Sequence, residues 1–177
     1  MSYICIVNDI ITRSPNRTVK HKYLIIMNKD LSLQLLQAYA TGLNAQSFQH
    51  KVQSQVFASQ GFNKLAAKYA DHSKEEAGWV EKFIDRILDL GGEAKVEAAP
   101  AQTIYKDAVE FLKADLEVSV REVPNLGKAT LAVCEDLTTY DLLKAYYQDE
   151  EEDMYWMQEQ LDLIEMIGKQ NWLIQQL

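Results

Sequence analysis

From about residue 30 to the end of the chain, apolar residues recur at alternating three- and four-residue steps, the period of an amphipathic helix. The first such seam reads Leu36, Tyr39, Leu43, Gln46, His50, Gln53 and Phe57, and Gly61 closes it. The second reads Leu65, Tyr69, His72, Glu76, Trp79 with Val80, Phe83, Ile87 and Leu90, and ends at Gly91-Gly92, a strong C-terminal stop. The third runs Tyr105, Val109, Leu112, Leu116, Ser119, Val123, Leu126, Thr130 and Val133; Pro124 lies within it and is expected to bend or split it. Asp136 suits the N-cap of the fourth, which reads Tyr140, Leu143, Tyr147, Glu150, Met154, Met157, Leu161 and Ile164 before Gly168. An apolar tail, Trp172, Leu173, Ile174 and Leu177, predicts a short fifth helix. The four main helices would each be roughly 40 Å long. Short links within the first and the second pair predict two antiparallel hairpins. The longer stretch from about Gly91 to Thr103, with Pro100 in it, predicts one crossover between them. The expected fold is therefore all-α, a four-helix bundle with one long crossover and a short C-terminal helix.

Residues 1–27 do not fit this pattern. Tyr3 to Val7 and Tyr23 to Met27 are short β-like runs around a basic stretch of Arg13, Arg17, Lys20 and Lys22. They are expected to form an appendage outside a domain spanning 28–177, disordered or contributed by an upstream translation start; a short strand pair is the alternative. The remaining composition narrows the function classes. Only 7 Gly and 3 Pro occur, too few for the turns of an all-β fold. A formal net charge of −8 excludes a nucleic-acid binder that works through overall charge. No apolar run reaches the roughly 18 residues of a membrane span, and no secretory signal is evident. Cys5 and Cys134 make neither a disulfide framework nor a CxxC metal site, so a reduced, cytoplasmic setting is expected.

Each seam turns polar or small near mid-helix: Gln46, His50 and Gln53; Glu76; Ser119; Glu150. An unpaired buried carboxylate is costly, so Glu76 and Glu150 at core-type positions require partners, water or a metal ion. Three residues along a helix keep two side chains on one face, which makes Glu76-x-x-Trp79 and Glu150-x-x-Asp153 the pairs to examine.

The chain resembles a bacterioferritin. The similar residues are Asp149-Glu150-Glu151, Trp156, Leu161-Asp162-Leu163-Ile164, Gly168 and Gln170-Asn171-Trp172, in that order. Glu76 followed by Phe83-Ile84-Asp85-Arg86-Ile87-Leu88 is a second match, and Leu112-Lys113-Ala114-Asp115-Leu116 a third. The resemblance covers about residues 28–177 and implies a ferritin-like bundle. Bacterioferritins hold two irons with four glutamates and two histidines, the histidines within Glu-x-x-His pairs. By position, the resemblance places the glutamates of those pairs on Glu76 and Glu150, and their histidines on Trp79 and Asp153. The other two glutamate positions fall on Leu43 and Ser119, and the haem-ligating methionine on Ala77. The resemblance thus implies a cage subunit with an incomplete ferroxidase centre and no haem, with Glu76, Glu150, Asp153 and His50 as the metal-ligand candidates.

Each candidate has a plainer reading. Glu76 and Glu150 suit a hydrated polar centre as well as a metal. Asp153 offers a hard oxygen donor but also ends the acidic run from Asp149. His50 suits a hydrogen-bonded core histidine as well as a fourth ligand. Trp79 reads as packing in space vacated by a histidine and a metal, Met154 and Met157 as core, and Cys134 as a small buried residue of the third helix. His72 and His21 show no partner pattern. Two function classes follow. One is an iron-storage or iron-homeostasis cage subunit, with iron held weakly or in part, self-associating as a dimer and a cage and co-assembling with an active ferritin subunit. The other is a non-catalytic ferritin-like structural or interaction dimer. A DNA-protecting miniferritin is a third reading, disfavoured by the lack of a basic tail beyond residues 13–22.

Overall fold

The structure is a computed structural model that describes residues 21–177. Expectations for residues 1–20, Cys5 among them, lie outside the described residues. In chain order the helices are α1 (His21–Ser59), α2 (Asn63–Asp89), α3 (Ala108–Ala132), α4 (Leu137–Ile167) and α5 (Lys169–Gln175). No strand occurs among the described residues. The run from Tyr23 to Met27, expected to be β-like, is helical and belongs to α1. The helix penalty of aromatic and β-branched residues is only a fraction of a kcal/mol each, and extending an existing helix adds a hydrogen bond per residue.

α1 packs on α2, α3 on α4, and α5 on α4. The turns are chemically specified. Gly61, at φ 87°, carries the chain out of α1, with the Phe62 amide donating back to the Phe57 carbonyl at 3.0 Å. At the end of α2, Gly91 has φ 67° and the Gly92 amide donates to the Ile87 carbonyl at 2.9 Å. A Cβ on Gly92 would lie 2.5 Å from the Leu33 side chain and 3.1 Å from the Ile87 carbonyl oxygen, so a larger residue there would force the Leu33 side chain to move. Asp107 caps α3 by accepting from the Val109 and Glu110 amides. Asp136 caps α4, accepting from the Thr139 amide while also receiving the Ser32 hydroxyl and the Arg86 guanidinium. α3 runs unbroken through Pro124, so the expected split does not occur. Cys134 lies beyond the end of α3 and is exposed, against the expectation of a buried helical residue.

The crossover follows α1 in extended form. The Gln37 side chain exchanges hydrogen bonds with the backbone of Lys95 (2.8 and 3.0 Å), and that of Gln53 does so with Tyr105 (2.8 and 3.0 Å). Gln49 donates to the Thr103 carbonyl and Gln60 to that of Lys106, each at 2.8 Å. From Gln37 to Gln60 the helix rises about 34 Å. The strand-like path from Lys95 to Lys106 covers at most about 36–40 Å. The two lengths match.

The core has two apolar parts. One gathers Leu36, Leu43, Phe83, Leu126 and Leu143; the other gathers Phe57, Tyr69, Phe111, Met157 and Trp172. Trp172 is fully buried, which docks α5 against the second part. The buried polar residues His50, Glu76, Asp115 and Ser119 belong to neither.

Candidate functional site

His50 on α1 and Glu76 on α2 are both buried, and Asp115 on α3 joins them. Nδ1 of His50 lies 2.9 Å from Oε2 of Glu76, and Nε2 lies 3.3 Å from Oδ1 of Asp115. The Tyr69 hydroxyl donates to the other Asp115 oxygen at 3.2 Å. A ring nitrogen meeting a carboxylate oxygen on each side is the geometry of an imidazolium donating twice. Burial alone would lower the His50 pKa, but the Glu76 and Asp115 charges outweigh it and hold the pKa well above the ordinary value. Burial pushes Glu76 up, and His50 only partly offsets this. Both shifts have one meaning: the cluster keeps its protons to higher pH than its parts would in water. Phe111 meets the His50 ring edge-on at 6.0 Å and shields this centre.

Glu150 on α4 is only partly exposed. Burial, with the Glu76 charge adding to it, raises its carboxyl to about 8. Contact with the Tyr146 hydroxyl works in the opposite direction. Trp79 packs against Phe83 and Tyr146 and donates its ring N–H to Asp149 at 2.6 Å. Lys82 covers the indole, with Nζ 3.6 Å from the ring centroid. An indole nitrogen only donates, so Trp79 supplies no metal ligand. Asp153 faces different partners, the ammonium of Lys68 at 3.4 Å and Nε2 of His72 at 3.1 Å. Burial pushes the Asp153 carboxyl up, but His72 and Lys68 hold it below the usual range.

Of the four expected ligands, His50 and Glu76 join Asp115, Glu150 feels the Glu76 charge and meets Tyr146, and Asp153 faces His72 and Lys68. Leu43 and Ser119, at positions where the resemblance implies glutamate, are buried, and Leu43 is part of the first apolar core. Among the described residues, no three His, Cys, Asp or Glu side chains are arranged to hold a metal ion. Sequence reasoning missed Asp115, although it stands one turn before the seam residue Ser119. It also missed the partner of His72, whose seam position marked it as inward-facing. On the outer face of the α1–α2 hairpin, Phe48, Lys51, Ser73 and Ala77 line an open groove of about 370 Å³.

A family model described as a ferritin-like domain matches residues 33–167. The chain is 38% identical over 133 residues to a bacterial ferritin of Neisseria meningitidis serogroup B, covering 73% of this chain and 85% of that one. It is 32% identical over 152 residues to a bacterial ferritin of Pseudomonas aeruginosa, covering 82% and 96%. A bacterioferritin of Streptomyces coelicolor is 29% identical over 149 residues, covering 83% and 84%.

Proposed function

This chain belongs to the ferritin-like family, and we propose that it is an iron-storage cage subunit whose bundle centre is closed by side chains instead of a di-iron centre. The observation that carries this reading is the His50 ring between Glu76 and Asp115. A ferroxidase must hold two ions with open positions for oxygen. Here an organic cation occupies the polar centre, Trp79 takes a ligand position, and Leu43 fills another with hydrocarbon. Ala77 has no sulfur to offer a haem iron. Iron is then cargo, attracted as hydrated cations to acidic walls by a chain of net charge −8, with its oxidation supplied by a co-assembled active subunit. The setting that suits this reading is a reducing cytoplasm.

The assembly follows from the same reading: a homodimer is the minimal unit and a closed cage the final one. The experiment is native mass spectrometry with iron analysis, on the protein produced alone and together with a ferroxidase-competent bacterial ferritin subunit. The expected result is a multi-subunit particle that fills with iron only when mixed. An iron-free dimer under both conditions would instead favour a purely structural bundle.

A further inference from the structure

A second polar cluster stands between α2 and α4, away from His50. His72 and Glu75 lie one turn apart on α2, and Asp149 and Asp153 one turn apart on α4. Glu75 is exposed on α2, and Asp153 of α4 reaches His72 across the two helices. His72 is 4% exposed, and its Nε2 has no hydrogen-bond partner. That nitrogen is nevertheless 3.1 Å from Oδ1 of Asp153. The distance suits a hydrogen bond and the alignment does not, so the ring nitrogen points beside the oxygen instead of at it. Two donors each about 2.1 Å from one ion and at a right angle stand about 3.0 Å apart. A metal-bound imidazole likewise directs its lone pair at the ion and not at the neighbouring ligand.

We propose that His72 Nε2 and Asp153 Oδ1 are adjacent ligands of a single divalent transition-metal ion, with Glu75 and Asp149 drawing the hydrated ion in from solvent. Two protein donors leave the remaining positions to water, and imidazole paired with carboxylate suits zinc or ferrous iron. Without metal, Lys68 neutralises Asp153. Its ammonium also lies 5.0 Å from the Trp156 ring centroid, a second seat to which it withdraws when the ion enters. Binding is thus an exchange of one cation for another. The site rests on its own geometry and does not depend on the iron-storage reading.

The test uses Zn(II) on the full chain, by calorimetric titration and by anomalous scattering from soaked crystals. One ion per subunit is expected, with an anomalous peak at bonding distance from His72 Nε2 and Asp153 Oδ1. His72→Gln should weaken binding by about tenfold or more. Lys68→Met should strengthen it, and Asp71→Asn, an exposed neighbouring acid, should leave it unchanged. No peak at that position in the wild-type crystal would overturn the proposal. So would unaltered affinity in His72→Gln, no gain in Lys68→Met, or a loss in Asp71→Asn as large as that in His72→Gln.

Discussion

His50 is the residue on which the bundle centre turns, because it is the cation two buried carboxylates face. Removing one member of such a cluster leaves charge buried without compensation, which costs about 3–5 kcal/mol. His50→Leu should lose about that much at neutral pH in urea denaturation, and adding Glu76→Gln and Asp115→Asn should restore part of it. The same cluster sets the pH dependence. His50, Glu76 and Glu150 all have raised pKa values, so the native state binds more protons than the unfolded chain, and their contribution falls as pH rises. For Glu150 it is complete below the ordinary carboxylate range and lost as pH passes about 8. For His50 it is complete below about pH 6.5 and lost only at the higher pH where the ring gives up its proton. Asp107, Asp136 and Asp153 are held low and contribute in the opposite sense, fully present above their ordinary range. Denaturation between pH 5 and 9 should therefore show stability declining with pH in the wild type, with a flatter slope when His50→Leu, Glu76→Gln and Asp115→Asn are combined. An equal slope in both would remove the cluster as its source.

At the scale of elements, the glutamines of α1 explain a crossover with few buried residues of its own. Gln53 is completely buried and satisfies both the N–H and the C=O of Tyr105. Gln53→Ala should cost about 1–3 kcal/mol by orphaning these groups, and should speed amide exchange at Tyr105 more than at α1 amides. Uniform exchange changes along the chain would contradict a local staple. These residues also mark what the sequence could tell. The helical period identified Gln53, His50, Glu76 and Ser119 as inward positions, and all four are buried. It could not say what each one meets, because period fixes a face and not a level along the bundle axis. The partner of Gln53 is crossover backbone, and the second carboxylate on His50 comes from α3, more than sixty residues further along the chain. Helix ends were more legible, since Gly61, Gly91-Gly92, Asp136 and Gly168 act locally on the backbone. The split expected at Pro124 is absent because a helix packed into two apolar cores tolerates a missing hydrogen bond that an isolated helix would not.

On the scale of the whole molecule, two apolar cores lie along one bundle, with His50, Glu76 and Asp115 held by three different helices. A bundle with an open di-metal centre would need the metal to satisfy such carboxylates. Here side chains from α1, α2 and α3 satisfy one another, and Glu150 on α4 keeps a proton to about pH 8. Stopped-flow mixing of the isolated, metal-free protein with Fe(II) and oxygen tests this account most directly. It predicts oxidation no faster than in protein-free buffer, with no phase that saturates at a fixed iron-to-subunit ratio. A fast phase saturating at about two irons per subunit, and abolished in both Glu76→Ala and Glu150→Ala, would contradict it.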